Sequence, residues 1–183
     1  MKIPVRPTSR QTIWHQVRRI RRVLGVENDL YFDVVHFIEN VMPEIFPEFV
    51  FEISTQKEMG ALHGETIPIE HKIRIREDVY IGACNGNGRD RFTLAHEIGH
   101  FFMHDERSIV FCKLKPNGEI SKHYDAEWQA DVFGGELLAP SYLIDGKEAE
   151  EVRKLCTVSL PCAQSQLGAI QNERKKGFNI VRV

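Results

Sequence analysis

Helices packed around a small β-sheet is the fold class the sequence predicts, and three observations predict it. Apolar residues recur at helical spacing in four stretches, near residues 8–25, 29–42, 91–104 and 125–138. Two short runs, residues 49–53 and 72–76, have the content and alternation of strands instead. At 183 residues and 42% hydrophobic composition, the chain buries one core of ordinary domain size. Residues 1–183 are accordingly read as one domain, with N-terminal helices over 1–45, a central part over 46–140 and a helical segment over 141–183.

In the first helix, Thr8 and Gln11 have capping-box spacing, and Ile13, Trp14, Val17, Ile20 and Leu24 share a face that Gly25 can end. Its outer face carries Arg18, Arg19, Arg21 and Arg22, a cluster expected to be solvated rather than bound to nucleic acid. The second helix turns Val34, Val35, Ile38, Val41 and Met42 inward, and Pro43 is expected to stop it. Phe49, Val50, Phe51 and Ile53 follow as a strand. In the next strand Ile73 and Ile75 face the core while Lys72, Arg74 and Arg76 project outward, as on a sheet edge. Turn-rich sequence with Gly60, Gly64 and Pro68 lies between them. After a loop over residues 84–88, Asp90 can cap the helix over 91–104. The helix over 125–138 ends before Pro140, and two shorter helices are expected over 148–155 and 161–171.

No run reaches the ~18 consecutive apolar residues of a membrane span, and the first residues lack a secretory apolar stretch, so a cytoplasmic protein with no membrane contact is expected. Cys84, Cys112, Cys156 and Cys162 contain no Cys-x-x-Cys pair and are read as reduced and structural. A formal charge of −2 offers no general attraction to nucleic acid.

The chemistry lies in His96-Glu97-Ile98-Gly99-His100. On a helix the two histidines fall one turn apart on one face, where a single metal can bridge them. Zinc accepts neutral imidazole nitrogens, and a catalytic site uses three protein ligands while leaving a position for water. Glu97 is then placed to take a proton from that water and later to pass one to a leaving amine. Gly99 leaves room for a close neighbour.

His104 sits two turns, ~12 Å along the axis, from His96, too far to share an ion. Glu127 is the better third ligand, because Glu127 and Asp131 are four apart and face one way: one carboxylate can bind metal while the other accepts a histidine N–H. His123, four residues from Glu127, is an alternative ligand or an electrophile near the substrate, and Tyr124 beside it is a further candidate contact.

The residues at 89–100, Glu127-Trp128-Gln129-Ala130-Asp131-Val132-Phe133 and Glu136-Leu137-Leu138-Ala139-Pro140 resemble the ImmA/IrrE family of zinc-dependent metallopeptidases, relatives of the gluzincins. The resemblance covers roughly residues 73–140. It implies a zincin-like α+β fold with a small mixed or antiparallel sheet, one zinc per chain on His96, His100 and Glu127, Glu97 as general base, and Asp131 in support. It also implies a protein substrate, a helix-turn-helix repressor or an antitoxin-like partner encoded nearby, as in mobile-element or toxin–antitoxin regulation. The sequence departs from the family at Gly134 and Gly135, where alanines are usual, and at Ala139, where methionine is common; these changes are expected to loosen the second active-site helix.

The C-terminal segment has the outline of two helices joined by a tight turn, and packing explains it better than base reading. A binding module that acts without proteolysis is the alternative to the peptidase; retention of Glu97 favours the enzyme, since shape alone needs no base. In zincins an extended peptide pairs with a sheet-edge strand above the metal. Arg74 and Arg76 are therefore expected either to recognise a somewhat acidic substrate segment or only to keep an edge strand from aggregating, with equal weight on the two.

Overall fold

The computed structural model describes residues 4–105 and 121–180. Helix α1 (Arg10–Val23) is capped by Ser9, whose side chain accepts from the Thr12 amide; the cap lies one residue after Thr8. Gly25 ends the turn with φ of 74°, a left-handed conformation suited to glycine. Helix α2 (Val34–His36) starts at the Asp33 cap, not near Asp29, and passes through a π turn (Phe37–Val41) into α3 (Met42–Ile45). Pro43 does not stop this helix: the π turn just ahead of it leaves space for the pyrrolidine ring, and the segment runs one turn further.

Strand β1 (Val50–Ser54) leads to the short α4 (Gln56–Met59), capped reciprocally by Thr55 and Glu58, then to β2 (Gly64–Ile67) and β3 (Lys72–Arg76). The sheet is mixed, in the order β1-β3-β2, with β3 parallel to β1 and antiparallel to β2. The chain is thus α+β, as expected. β3 is the central strand, however, and β2, formed from the stretch read only as turns, is an edge.

This corrects the reading of Arg74 and Arg76 as free outward charges. Arg74 bonds Glu52 on β1 at 3.0 Å and Glu65 on β2 at 2.7 Å, so it cross-links both neighbours of the central strand. Arg76 is 7% exposed; its guanidinium clasps Asp78 at 2.6 and 2.9 Å and donates to the Gly60 and Leu62 carbonyls. Reversing either charge sets carboxylate against carboxylate or carbonyl. Arg76→Glu is therefore expected to lower the melting temperature and the urea midpoint, read by circular dichroism, instead of leaving stability intact.

Helix α5 (Glu77–Cys84) follows β3 and leads to α6 (Gly88–Met103), which starts earlier than expected because Asn87, not Asp90, accepts from the first free amides at 3.0 and 3.3 Å. Helix α7 (Ala126–Leu138) is capped by Asp125, and α8 (Ser141–Ile144), α9 (Ala149–Cys156) and α10 (Leu160–Lys175) complete the described chain. Cys162, Ala163, Gln166, Ala169, Ile170 and Glu173 of α10 are buried, which accounts for that helix by packing. Cys84, Cys156 and Cys162 are free thiols; Cys112 lies outside the described residues. Among the described residues, no helix is long and apolar enough to cross a membrane.

The core runs from Ile13 and Val17 of α1 through Ile73 and Ile75 of β3 to Leu94 and Ile98 of α6 and Phe133 and Leu137 of α7. Arg21 belongs to this interior. It is 0% exposed and donates to the carbonyl oxygens of Leu137, at 2.6 Å, and Asp29, so the basic cluster loses one member to the core. Arg18 and Arg22 both bond Glu27, so that one carboxylate offsets part of the positive charge on that face.

Helices α6 and α7 cross at glycine contacts. A Cβ on Gly99 would lie 3.1 Å from the Ala130 carbonyl oxygen and the Phe133 Cβ, and one on Gly134 would lie 3.0 Å from the His96 amide nitrogen. Gly134 therefore tightens the second helix against the first instead of loosening it. Gly134→Ala is expected to cost about 1–3 kcal/mol, because backbone rather than a flexible side chain would have to give way. Urea denaturation measures this, and an unchanged midpoint would mean that the crossing is looser than its contacts imply.

Candidate metal centre

The close crossing sets the face of α6 that carries His96 and His100 against the face of α7 that carries Glu127 and Asp131. His96 Nε2 and His100 Nε2 lie 3.0 Å apart, with Glu127 Oε2 3.3 Å from the first and Oε1 3.5 Å from the second. Four-coordinate zinc with bonds of ~2.0–2.1 Å requires donor-to-donor edges of about 3.3 Å. The three donors therefore fit a single tetrahedral ion, and among the described residues they are the group of histidine, cysteine and carboxylate side chains that converges in this way.

The electrostatics favour a cation at the same point. Burial works against a charged His96 ring, but Asp131 and Glu127 overcome it and push its pKa up to about 10. Burial, His96 and His104 together hold His100 at about 4, so it stays neutral. Glu127, bonded to His96 and 57% exposed, falls to about 2 and is ionised. One ring thus draws a positive charge between two carboxylates while the other offers a lone pair. A divalent ion can take the place of that proton.

Asp131 Oδ1 lies 2.9 Å from His96 Nδ1, on the side of the ring away from the converging donors. It accepts an N–H there and aims Nε2 at them. Glu97, 7% exposed, lies under the edge strand. Thr66 of β2 donates to its carboxylate at 2.7 Å, and a Cβ on Gly64 would come within 2.8 Å of its Cγ. Burial raises the Glu97 pKa and the Thr66 hydroxyl lowers it in part.

The other expected contacts are placed elsewhere. His123 is not among the converging donors; its Nδ1 lies 3.1 Å from the Thr8 carbonyl oxygen and its ring packs edge-on against Trp128. The Tyr124 carbonyl accepts from the Val5 amide, tying residues 123–125 to the N-terminal segment. Arg74 and Arg76 are engaged within and beside the sheet. Sequence reasoning set His104 aside as a ligand and overlooked its other use: His104 Nδ1 lies 2.9 Å from His100 Nδ1, and its Nε2 lies 3.0 Å from Gln129 Oε1. The available signal was the four-residue spacing of His100 and His104.

Residues 44–156, more than half the chain, match the model of the peptidase family described as the IrrE N-terminal-like domain, Peptidase_M78. No curated protein matches the chain.

Proposed function

The chain belongs to the IrrE N-terminal-like peptidase family, and from that membership we propose that it is a zinc-dependent endopeptidase whose metal is held by His96, His100 and Glu127. The observation that carries this reading is the fit of those three donors to one tetrahedral ion, with Glu97 beside them on the same helix. Bound there, zinc supplies Lewis acidity and lowers the pKa of a water to about 7.

Glu97 does the proton chemistry. Its buried carboxylate takes the proton of the attacking water and returns it to the amine of the departing peptide. Asp131 holds His96 in the ligating orientation. The edge strand β2, next to Glu97 through Thr66 and Gly64, takes an extended substrate segment by strand addition, a role that passes to it from β3. A regulatory protein, either a helix-turn-helix repressor or an antitoxin-like partner encoded nearby, is the proposed substrate.

The test is cleavage of such a partner, encoded next to this chain, by purified protein with zinc and with a chelator. Discrete fragments that depend on zinc and map to one bond support the reading. An intact partner that nevertheless binds tightly would replace the peptidase with a binding module.

A further inference from the structure

We infer that Gln129 and His104 form a hydrogen-bond relay that fixes the tautomer of His100 and turns its Nε2 lone pair toward the other two donors. The inference deepens the proposed metal site, and its benefit to metal binding rests on that reading. Gln129 is 2% exposed, and its amide nitrogen lies 2.9 Å from the Arg6 carbonyl oxygen and 2.8 Å from that of His123. Carbonyl oxygens only accept, so both amide hydrogens are committed and the side chain cannot be flipped without setting oxygen against two oxygens.

The Gln129 oxygen therefore faces His104 and accepts from its Nε2. A neutral imidazole has one N–H and one lone pair, so His104 Nδ1 is left as an acceptor. Its partner is His100 Nδ1, which must carry the hydrogen. That leaves His100 Nε2 bare, 3.0 Å from His96 Nε2 and 3.5 Å from Glu127 Oε1. In the opposite tautomer His100 would aim an N–H at these donors and could not ligate.

The two histidines are thus oriented by different means. His96 leans on a charged carboxylate, Asp131, whereas His100 leans on a neutral chain that ends on backbone carbonyls of Arg6 and His123. Residues 4–8 lie along residues 123–125 through Val5 N to Tyr124 O and Thr8 N to His123 O, so docking of the N-terminal segment sets the far end of the relay. Gln129 and His104 are positioning residues for a ligand they reach only through hydrogen bonds.

The experiment is histidine ¹⁵N NMR on the metal-free, full-length chain, with zinc affinity measured separately by competition with a chromophoric chelator. His100 is expected as the Nδ1–H tautomer and His104 as Nε2–H. The reverse at either ring, or a ring protonated on both nitrogens, overturns the relay. Gln129→Met removes the acceptor at similar length; His104 should then populate both tautomers and zinc affinity should fall about tenfold to a hundredfold. A folded Gln129→Met protein with native tautomers and native affinity also overturns the relay. Should that variant fail to fold, the wild-type tautomers still decide. A wild-type chain that binds no zinc sinks the metal reading whatever its tautomers, whereas zinc binding with reversed tautomers sinks the relay alone.

Discussion

Replacing Glu97 with glutamine is expected to remove peptide-bond cleavage, by about a hundredfold to ten-thousandfold in kcat, while zinc content and melting temperature stay near those of the parent. The side chain is tightly enclosed, with the Gly64 backbone against Cγ and the Thr66 hydroxyl on the carboxylate. An amide of the same shape fills that space and still accepts from Thr66. What it cannot do is take a proton from water. The loss should fall on kcat more than on KM, because the role proposed for Glu97 is on the reacting atoms and the proposed substrate contact is along β2. A Glu97→Gln protein that still cuts the partner would remove Glu97 from the chemistry. One that reverses the partner's effect in cells without cutting it would favour a binding module.

The second large effect is on metal content. Glu127→Ala removes one of three donors from the cluster and should leave the purified chain with little or no zinc by elemental analysis. The side chain is 57% exposed, so the metal-free fold should hardly notice the loss. Asp131→Asn should behave differently: it keeps the helix and the ligands but weakens the acceptor on His96 Nδ1, and zinc affinity is expected to fall about tenfold to a hundredfold. His123→Ala should leave zinc in place, since that ring is engaged by the Thr8 carbonyl and Trp128. Loss of zinc on removing His123, with Glu127→Ala unaffected, would reassign the third ligand.

The grouping of His96, His100 and Glu127 was legible because its rule is local. His96 and His100, like Glu127 and Asp131, share a face by four-residue spacing, and both pairs do lie on helices. Only their meeting across two helices is long-range, and Gly99 at the crossing was a readable hint. The readings that went wrong depended on partners distant in sequence. Arg21 has the spacing of the buried face, four residues after Val17 and seven after Trp14, but its charge argued for the outside; the Leu137 carbonyl accepts from it in the interior. Lys72–Arg76 alternates as an edge strand would, but β2 and β1 pair on either side of it. β2 itself was hidden by its glycine and brevity: Gly64-Glu65-Thr66-Ile67 has weak strand propensity and is stabilised by β3 and by α6 beneath it. Gln129 was invisible as part of the site because its role requires the N-terminal segment to dock on residues 123–125.

The proposed activity depends on one zinc ion held by His96, His100 and Glu127. Anomalous scattering at the zinc edge from crystals of the full chain tests it most directly. A single strong peak per chain is expected, bonded to Nε2 of both histidines and to a Glu127 carboxylate oxygen, with nothing at His104 or His123. Zinc bound elsewhere, or a peak that leaves Glu127 unbonded, would contradict it.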